Sequence, residues 1–179
     1  APVANGMGLF EGGGRWESQA HSIEALGCIS TAIQEGLMQS LSPKPGQPEV
    51  ISILPAWPRQ WSAEFRLLAR GGFLVSAEAV GGQAPHVEIQ SRLGETCRIR
   101  NPWNRPCRLV AEGGESRSLT GSVLSFETEK GKSYRLSPIA ALAVPPGPVF
   151  PARENVEASY RFVLANGHVV QGQLGRPRQ

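Results

Sequence analysis

Lysine is scarce in this chain of 179 residues: it occurs at Lys44, Lys130 and Lys132, so nearly all the positive charge behind the formal net charge of +3 is arginine. The arginines do not gather into a stripe. The densest group, Arg92, Arg98, Arg100, Arg105 and Arg108, is broken by apolar and Pro residues, and elsewhere Arg alternates with Glu, the chain's one acidic residue type. Nucleic-acid binding calls for a basic stripe together with a recognisable motif. No nucleic-acid partner is therefore expected, and the group reads as a solvated sheet face. Long apolar runs are also missing. Charge, Gly or Pro interrupts each one well short of the roughly 18 residues that a membrane-spanning helix needs, so the chain is not expected to be a membrane protein by itself. Metal-ligand spacing is absent too: Cys28, Cys97 and Cys107 form no C-x-x-C, and His21, His86 and His168 are scattered, so no metal is expected. Cys97 and Cys107 bracket the predicted hairpin and could form a disulfide in an oxidising compartment, but strands facing each other across residues 101–106 would set Arg100, not Cys97, opposite Cys107; three free or buried thiols are the favoured reading. Residues 1–14 have neither a basic start nor a continuous apolar stretch, and no Met stands first. No signal peptide is read there, and the chain is expected to begin inside a longer polypeptide.

What the chain has in quantity is Gly, 21 residues, and Pro, 15, with 40% apolar and 18% charged residues. That composition supports one real core cut by many turns. Residues 1–20 are Gly-rich and aperiodic, a loop. From His21 to Leu41 the apolar residues Ile23, Leu26, Ile29, Ile33, Leu37 and Leu41 recur at three- and four-residue steps, which predicts a helix ended by Pro43, Pro45 and Pro48. A lone amphipathic helix cannot bury its own stripe, so it needs a partner outside itself. Beyond the prolines the period becomes two. Strands are predicted at 50–54, 65–69, 73–77, 87–91, 97–100, 107–110, 122–127 and 133–136, with 97–100 and 107–110 forming a hairpin around 101–106. That is about seven or eight short strands, in sandwich territory. After the stiff V-P-P-G-P-V-F-P at 144–151, Asn166-Gly167 between 160–165 and 168–173 is a strong hairpin signal.

Four stretches then carry a resemblance. E-G-L-M-Q-S at 35–40, I-S-I-L-P-A-W-P-R-Q-W at 51–61, A-R-G-G-F-L-V-S-A at 69–77 and V-E-I-Q-S-R-L-G-E-T-C-R-I-R-N-P-W at 87–103 resemble, in order and spacing, the C-terminal part of glycoside hydrolase family 95, the α-L-fucosidase and α-galactosidase family, and its relatives. In that family a helix ending E-M-L-L-Q-S closes an (α/α)6 catalytic barrel. An L-P-A-L-P…W segment and an R-A-R-G-G-F-x-V strand pair then open a C-terminal β-domain. The likeness covers roughly residues 21–136. The family helix begins F-Q-I-D-G-N-F-G, whose Asp supports the base side of an inverting hydrolysis while a Glu far upstream acts as general acid. Counting back without gaps from Gln39-Ser40 sets Glu24 on that Asp, although the following Gly-Asn-Phe-Gly is replaced by Ala25-Leu26-Gly27-Cys28. Inverting chemistry needs two carboxyl groups separated by room for a water, and Glu is a sensible substitute with longer reach. The plainer role for Glu24 is a helix carboxylate favoured by the N-terminal dipole.

The resemblance implies a mainly β chain: a C-terminal β-sandwich-like domain preceded by one amphipathic helix left over from an (α/α)6 barrel. Residues 1–48 form the Gly-rich loop and last barrel helix, 49–143 the sandwich, and 144–179 the Pro-rich linker and terminal hairpin. It implies the accessory end of a bacterial, exported glycoside hydrolase, periplasmic or extracellular, acting on a carbohydrate substrate without metal or organic cofactor and inactive when separated from the upstream helical barrel. Trp16, in the loop before the helix, and His21, at its start, are the candidate substrate contacts, His21 standing beside the plainer role of a helix cap. Trp57, Trp61 and Trp103 have faces that can stack on sugars; for Trp57 and Trp61 packing between barrel and β-domain is the favoured role. The competing reading is a stand-alone carbohydrate-binding or protein-docking β-module.

Overall fold

The computed structural model of the chain describes residues 27–140, 142, 147, 158–164 and 166–174. The chain divides into two compact units, residues 1–35 and 36–179. In the first, the described residues belong to a helix, α1, which runs over residues 27–37 and whose last two residues already lie in the second unit. None of residues 27–35 is buried, and Ile29, on the predicted apolar stripe, is 47% exposed. Among the described residues no helix is long and apolar enough to cross a membrane.

Among the described residues the second unit has twelve strands in two sheets. The smaller sheet has the order β1 (Met38–Leu41), β2 (Val50–Ile53), β6 (Cys97–Arg100) and β9 (Val123–Phe126). The larger has the order β12 (Val169–Leu174), β11 (Ala158–Val163), β3 (Ser62–Ala69), β4 (Phe73–Ala79), β5 (Val87–Ser91), β10 (Ser133–Pro138), β7 (Cys107–Ala111) and β8 (Ser116–Leu119). All neighbours are antiparallel except β2 and β6, which run parallel with Ile51 opposite Ile99. Period-two alternation decides what goes inside. Phe65, Val75, Ile89 and Leu136 from the large sheet, and Ile51, Ile99, Leu124 and Phe126 from the small one, are each at most 3% exposed. They make the apolar core of a β-sandwich.

Three features differ from the sequence expectation. The helix predicted to reach Leu41 stops at residue 37, and Met38–Leu41 is a strand with Met38 opposite Ile53 and Leu41 opposite Val50. Leu37 and Leu41 fit a helical period, but Leu37 and Met38 are 0% and 7% exposed in the sheet unit, and the Leu54 N–H donates to the Leu37 carbonyl at 2.8 Å. Pairing satisfies the outer edge of β2, so tertiary contacts override local periodicity. Second, β6 and β7 do not form a hairpin. Both edges of β6 are taken, by β2 and β9, and both edges of β7 by β10 and β8, so residues 101–106 carry the chain from one sheet to the other. Third, β8 is a strand the pattern does not announce, because Ser116-Arg117-Ser118 are all exposed on a sheet edge and nothing alternates.

The turns that sequence chemistry announces do form. Gly71 and Gly72 between β3 and β4 have φ of +77° and +73°, and a Cβ on Gly72 would lie 2.6 Å from Leu93 Cγ; both the left-handed backbone and the close approach require glycine. At the other end of the chain, Asn166-Gly167 turns β11 into β12, with Gly167 at φ +79°. This hairpin is no appendage of the large sheet: β11 pairs with β3 from Ser159 opposite Arg66 to Val163 opposite Ser62.

Candidate functional site

Glu24, Trp16 and His21 lie outside the described residues. The other tryptophans are described, and none presents itself as a free sugar platform. Trp103 is 8% exposed and its Nε1 donates to the Ala84 carbonyl at 2.7 Å, so a sugar-stacking role gives way to a place in the core. It sits on the crossover between sheets, where Asn101 organises the backbone. Asn101 Nδ2 donates to the carbonyls of Arg105 and Gly121, both at 2.9 Å, and Oδ1 accepts from the Trp103 N–H at 3.1 Å. Trp57 Nε1 donates to the Trp61 carbonyl at 2.8 Å, and both rings meet Phe162 of β11, at centroid distances of 5.2 and 5.6 Å. Their aromatic partner is thus the terminal hairpin.

The thiols are free, as expected from the sequence: Cys28 is exposed, and Cys97 and Cys107 are buried in different sheets. Desolvation pushes the Cys97 thiol up to about 12, opposed by the nearby charge of Arg98. Burial also raises Cys107, opposed by its hydrogen bond to Asn101. Protonated thiols in an apolar setting are inert as nucleophiles and poor metal ligands. Among the described residues no group of three or more His, Cys, Asp or Glu is arranged to hold a metal.

The structure instead shows a groove of about 510 Å³ on the outer face of the large sheet. Its floor is set by register. Arg66 on β3 is opposite Ser76 on β4, Ser76 opposite Glu88 on β5, and Glu88 opposite Arg135 on β10; in the next row Gln90 is opposite Ser133. Because alternate residues face the core, these six point the other way and converge from four strands. Glu88 Oε1 lies 3.4 Å from Arg135 Nη1 and 3.8 Å from His86 Nε2. Burial holds the His86 imidazole below its usual range, helped by Arg135 and opposed by Glu88 and Glu78. Beside the groove, Glu64 pairs with Arg161 of β11 at 2.6 Å, in a setting where the two side chains are 27% and 10% exposed. No single segment of sequence announces this groove, since each residue alone reads as the polar half of a strand.

A smaller cavity of about 260 Å³ lies where the Arg70-Gly71 turn meets Ser40, Glu49, Thr96 and Arg98. Here the Arg70 N–H donates to Ser40 Oγ at 3.1 Å, Arg70 Nη1 is 3.5 Å from Glu49, and Thr96 Oγ1 donates to the Glu127 carboxylate. Arg70 thus ties the β3–β4 turn to β1 and to Glu49 just before β2, while Thr96 ties the β5–β6 connection to Glu127 just after β9. Inverting hydrolysis requires an acid and a base about 6.5–9.5 Å apart with a water between them and the sugar. The groove carboxylates have other engagements: Glu88 with Arg135, and Glu112 Oε2 with the Ser133 N–H at 2.9 Å. Both carboxylates are thus held by partners within the large sheet.

Two sheets closed on one apolar core, with polar grooves outside it, define a β-sandwich. The model of the glycoside hydrolase family 95 C-terminal domain matches residues 45–136, from the Pro-rich turn before β2 into β10, and the chain belongs to that family. No curated protein matches it.

Proposed function

We propose that this chain works as the C-terminal accessory region of a bacterial, exported glycan-cleaving enzyme, acting in the periplasm or outside the cell. The segment before the sandwich completes the helical catalytic barrel upstream, and the sandwich packs on that barrel. The observation that carries the reading is the family match over residues 45–136, which takes in every strand from β2 to β9 and most of β10. In this reading Glu24 takes the base side of an inverting hydrolysis, Trp16 and His21 contact the sugar at the rim, and the general acid comes from upstream. The chain alone, with at most one of the two required carboxyl groups in place, is inert.

The test is kinetic. In the full-length parent enzyme Glu24→Gln keeps the shape of the side chain and removes its charge, so kcat should fall by roughly 10²-fold or more with little change in melting temperature. Near wild-type kcat would remove Glu24 from the mechanism and leave it the role of a helix carboxylate. Hydrolysis of an aryl glycoside by the 179-residue chain alone, abolished by a point mutation within it, would overturn the accessory reading.

A further inference from the structure

The outer groove of the large sheet has an uneven charge pattern. At one end Glu88 is paired with Arg135 and His86. At the other, Arg66 lies half-buried on the groove wall and makes no hydrogen bond or ion pair with another described residue. The carboxylate nearest to it along the same face of β3, Glu64, is engaged by Arg161 at 2.6 Å. A half-buried guanidinium has five donors in a planar fork and carries a desolvation cost that an oxyanion offsets best, because a carboxylate accepts two parallel charge-assisted hydrogen bonds from it. Between the two ends lies Ser76, and in the next row, beside the Glu88–Arg135 pair, lie Gln90 and Ser133; the side-chain groups of all three likewise bond to no other described residue. They offer both donors and acceptors, which is what vicinal hydroxyls need, since each hydroxyl gives one hydrogen bond and takes others. The rows from β3 to β10 span three strand spacings, roughly 14 Å at about 4.8 Å each, long enough for more than one sugar ring.

We propose that the groove lined by Arg66, Ser76, Gln90, Ser133 and the Glu88–Arg135 pair binds a saccharide bearing a carboxylate, with the acidic unit at Arg66 and hydroxyls toward Gln90 and Ser133. The polarity follows from the charges. A carboxylate placed at the other end would meet Glu88, and one at Arg66 meets an unengaged cation. No aromatic side chain is needed, because recognition is by hydrogen bonds and one charge pair. The site gives the accessory domain a specific task, holding an acidic branch or backbone of the glycan while the catalytic part acts elsewhere, and to that extent it rests on the glycan-cleaving reading above.

The experiment uses the full 179-residue chain and trigalacturonate as the probe, with binding followed by amide chemical shifts and by titration calorimetry. Shifts should cluster at residues 66, 76, 88–90 and 133–135. Arg66→Gln should weaken binding about tenfold through loss of a charge-assisted pair, and Gln90→Ala about threefold through loss of neutral hydrogen bonds. A neutral galactotriose should bind at least about tenfold more weakly, by the same loss of the charge pair. Absence of shifts in the groove, trigalacturonate affinity unchanged by Arg66→Gln in a variant of unaltered fold, equal affinity for galactotriose, or displacement by acetate at matched ionic strength would each overturn the proposal. Shift mapping on the wild-type chain decides it even if Arg66→Gln folds poorly. The two readings fail separately: groove binding with a parent inactive on every glycoside would sink the hydrolase reading alone, and an active parent whose groove ignores trigalacturonate would sink this one alone.

Discussion

On the inner face of the large sheet Phe65, Val75, Ile89 and Leu136 are at most 1% exposed, whereas one residue away on the same strands Arg66, Ser76, Glu88 and Arg135 face a groove. The difference comes entirely from strand alternation, and a one-residue slip in register would exchange the two sets. Stability is therefore concentrated in one face and binding chemistry in the other, and substitutions adjacent in sequence should separate them.

The largest test of that separation is the pair Leu136→Ala and Arg135→Ala. Truncating Leu136, which is 0% exposed, removes core contacts and leaves a cavity, and should cost roughly 2–5 kcal/mol in urea unfolding. Arg135, paired with Glu88 on the exposed face, should cost about 1 kcal/mol or less. Equal losses would show that the outer face carries structural load as well. Glycine gives the next contrast. Gly72→Val forces a β-branched residue to φ +73° with its Cβ 2.6 Å from Leu93, for a loss of roughly 1–3 kcal/mol. Gly131→Ala, at φ +87° with nothing within 4 Å of the added Cβ, carries only the backbone cost of about 1–2 kcal/mol. Comparable melting temperatures for the two variants would mean that Leu93 yields freely.

The third test uses pH. The Cys97 thiol is raised to about 12 when folded, against 9.0 for an ordinary thiol, so the folded chain holds this proton more tightly than the unfolded one. Its contribution is fully present below pH 9 and is lost as pH rises toward 12, with a slope near 1.4 kcal/mol per pH unit in between. Cys97→Ala should flatten the alkaline stability profile by that slope, and an unchanged profile would place the thiol in a wetter setting. In the same protein a thiol reagent should modify Cys28 in the native state, and Cys97 and Cys107 only after unfolding. Smallest of all is Ile29→Ser. Ile29 is 47% exposed on a helix in which none of residues 27–35 is buried, so denaturant unfolding of the chain should move by no more than about 0.5 kcal/mol. A loss of about 2 kcal/mol, the size expected for a core residue, would mean that the predicted apolar stripe is buried in solution.

Strands β2 to β5 are legible in the sequence because alternation and turn chemistry agree there: β5 has the bounds that Val87-Glu88-Ile89-Gln90-Ser91 predicts, and Gly71-Gly72 turns where two glycines require it. Met38–Leu41 is not, because its apolar spacing fits a helix equally well and only the open edge of β2 decides for a strand. The crossover at 101–106 misleads for a related reason. A Pro-rich loop between two alternating segments looks the same whether the segments pair or part, and the buried Asn101 and Trp103 that distinguish the cases show their partners only in the folded chain. Of the proposed site residues, Glu24 and His21 rest on motif correspondence and Trp16 on its place in the loop before them, while the groove residues escape notice because nothing in any one strand marks them.

By itself the sequence determined the all-β character of the second unit, the inward residues of most strands and the positions of the glycine turns, since these follow from side-chain alternation and the φ each residue tolerates, both local properties. Which strands become neighbours is settled by the folding of the whole chain. That choice brings Arg66, Glu88 and Arg135 from β3, β5 and β10 onto one surface and adds β11 to the edge of β3. Strand pairing depends on closing one apolar core and leaving no buried edge unpaired, a condition on the whole chain that no short window of residues contains.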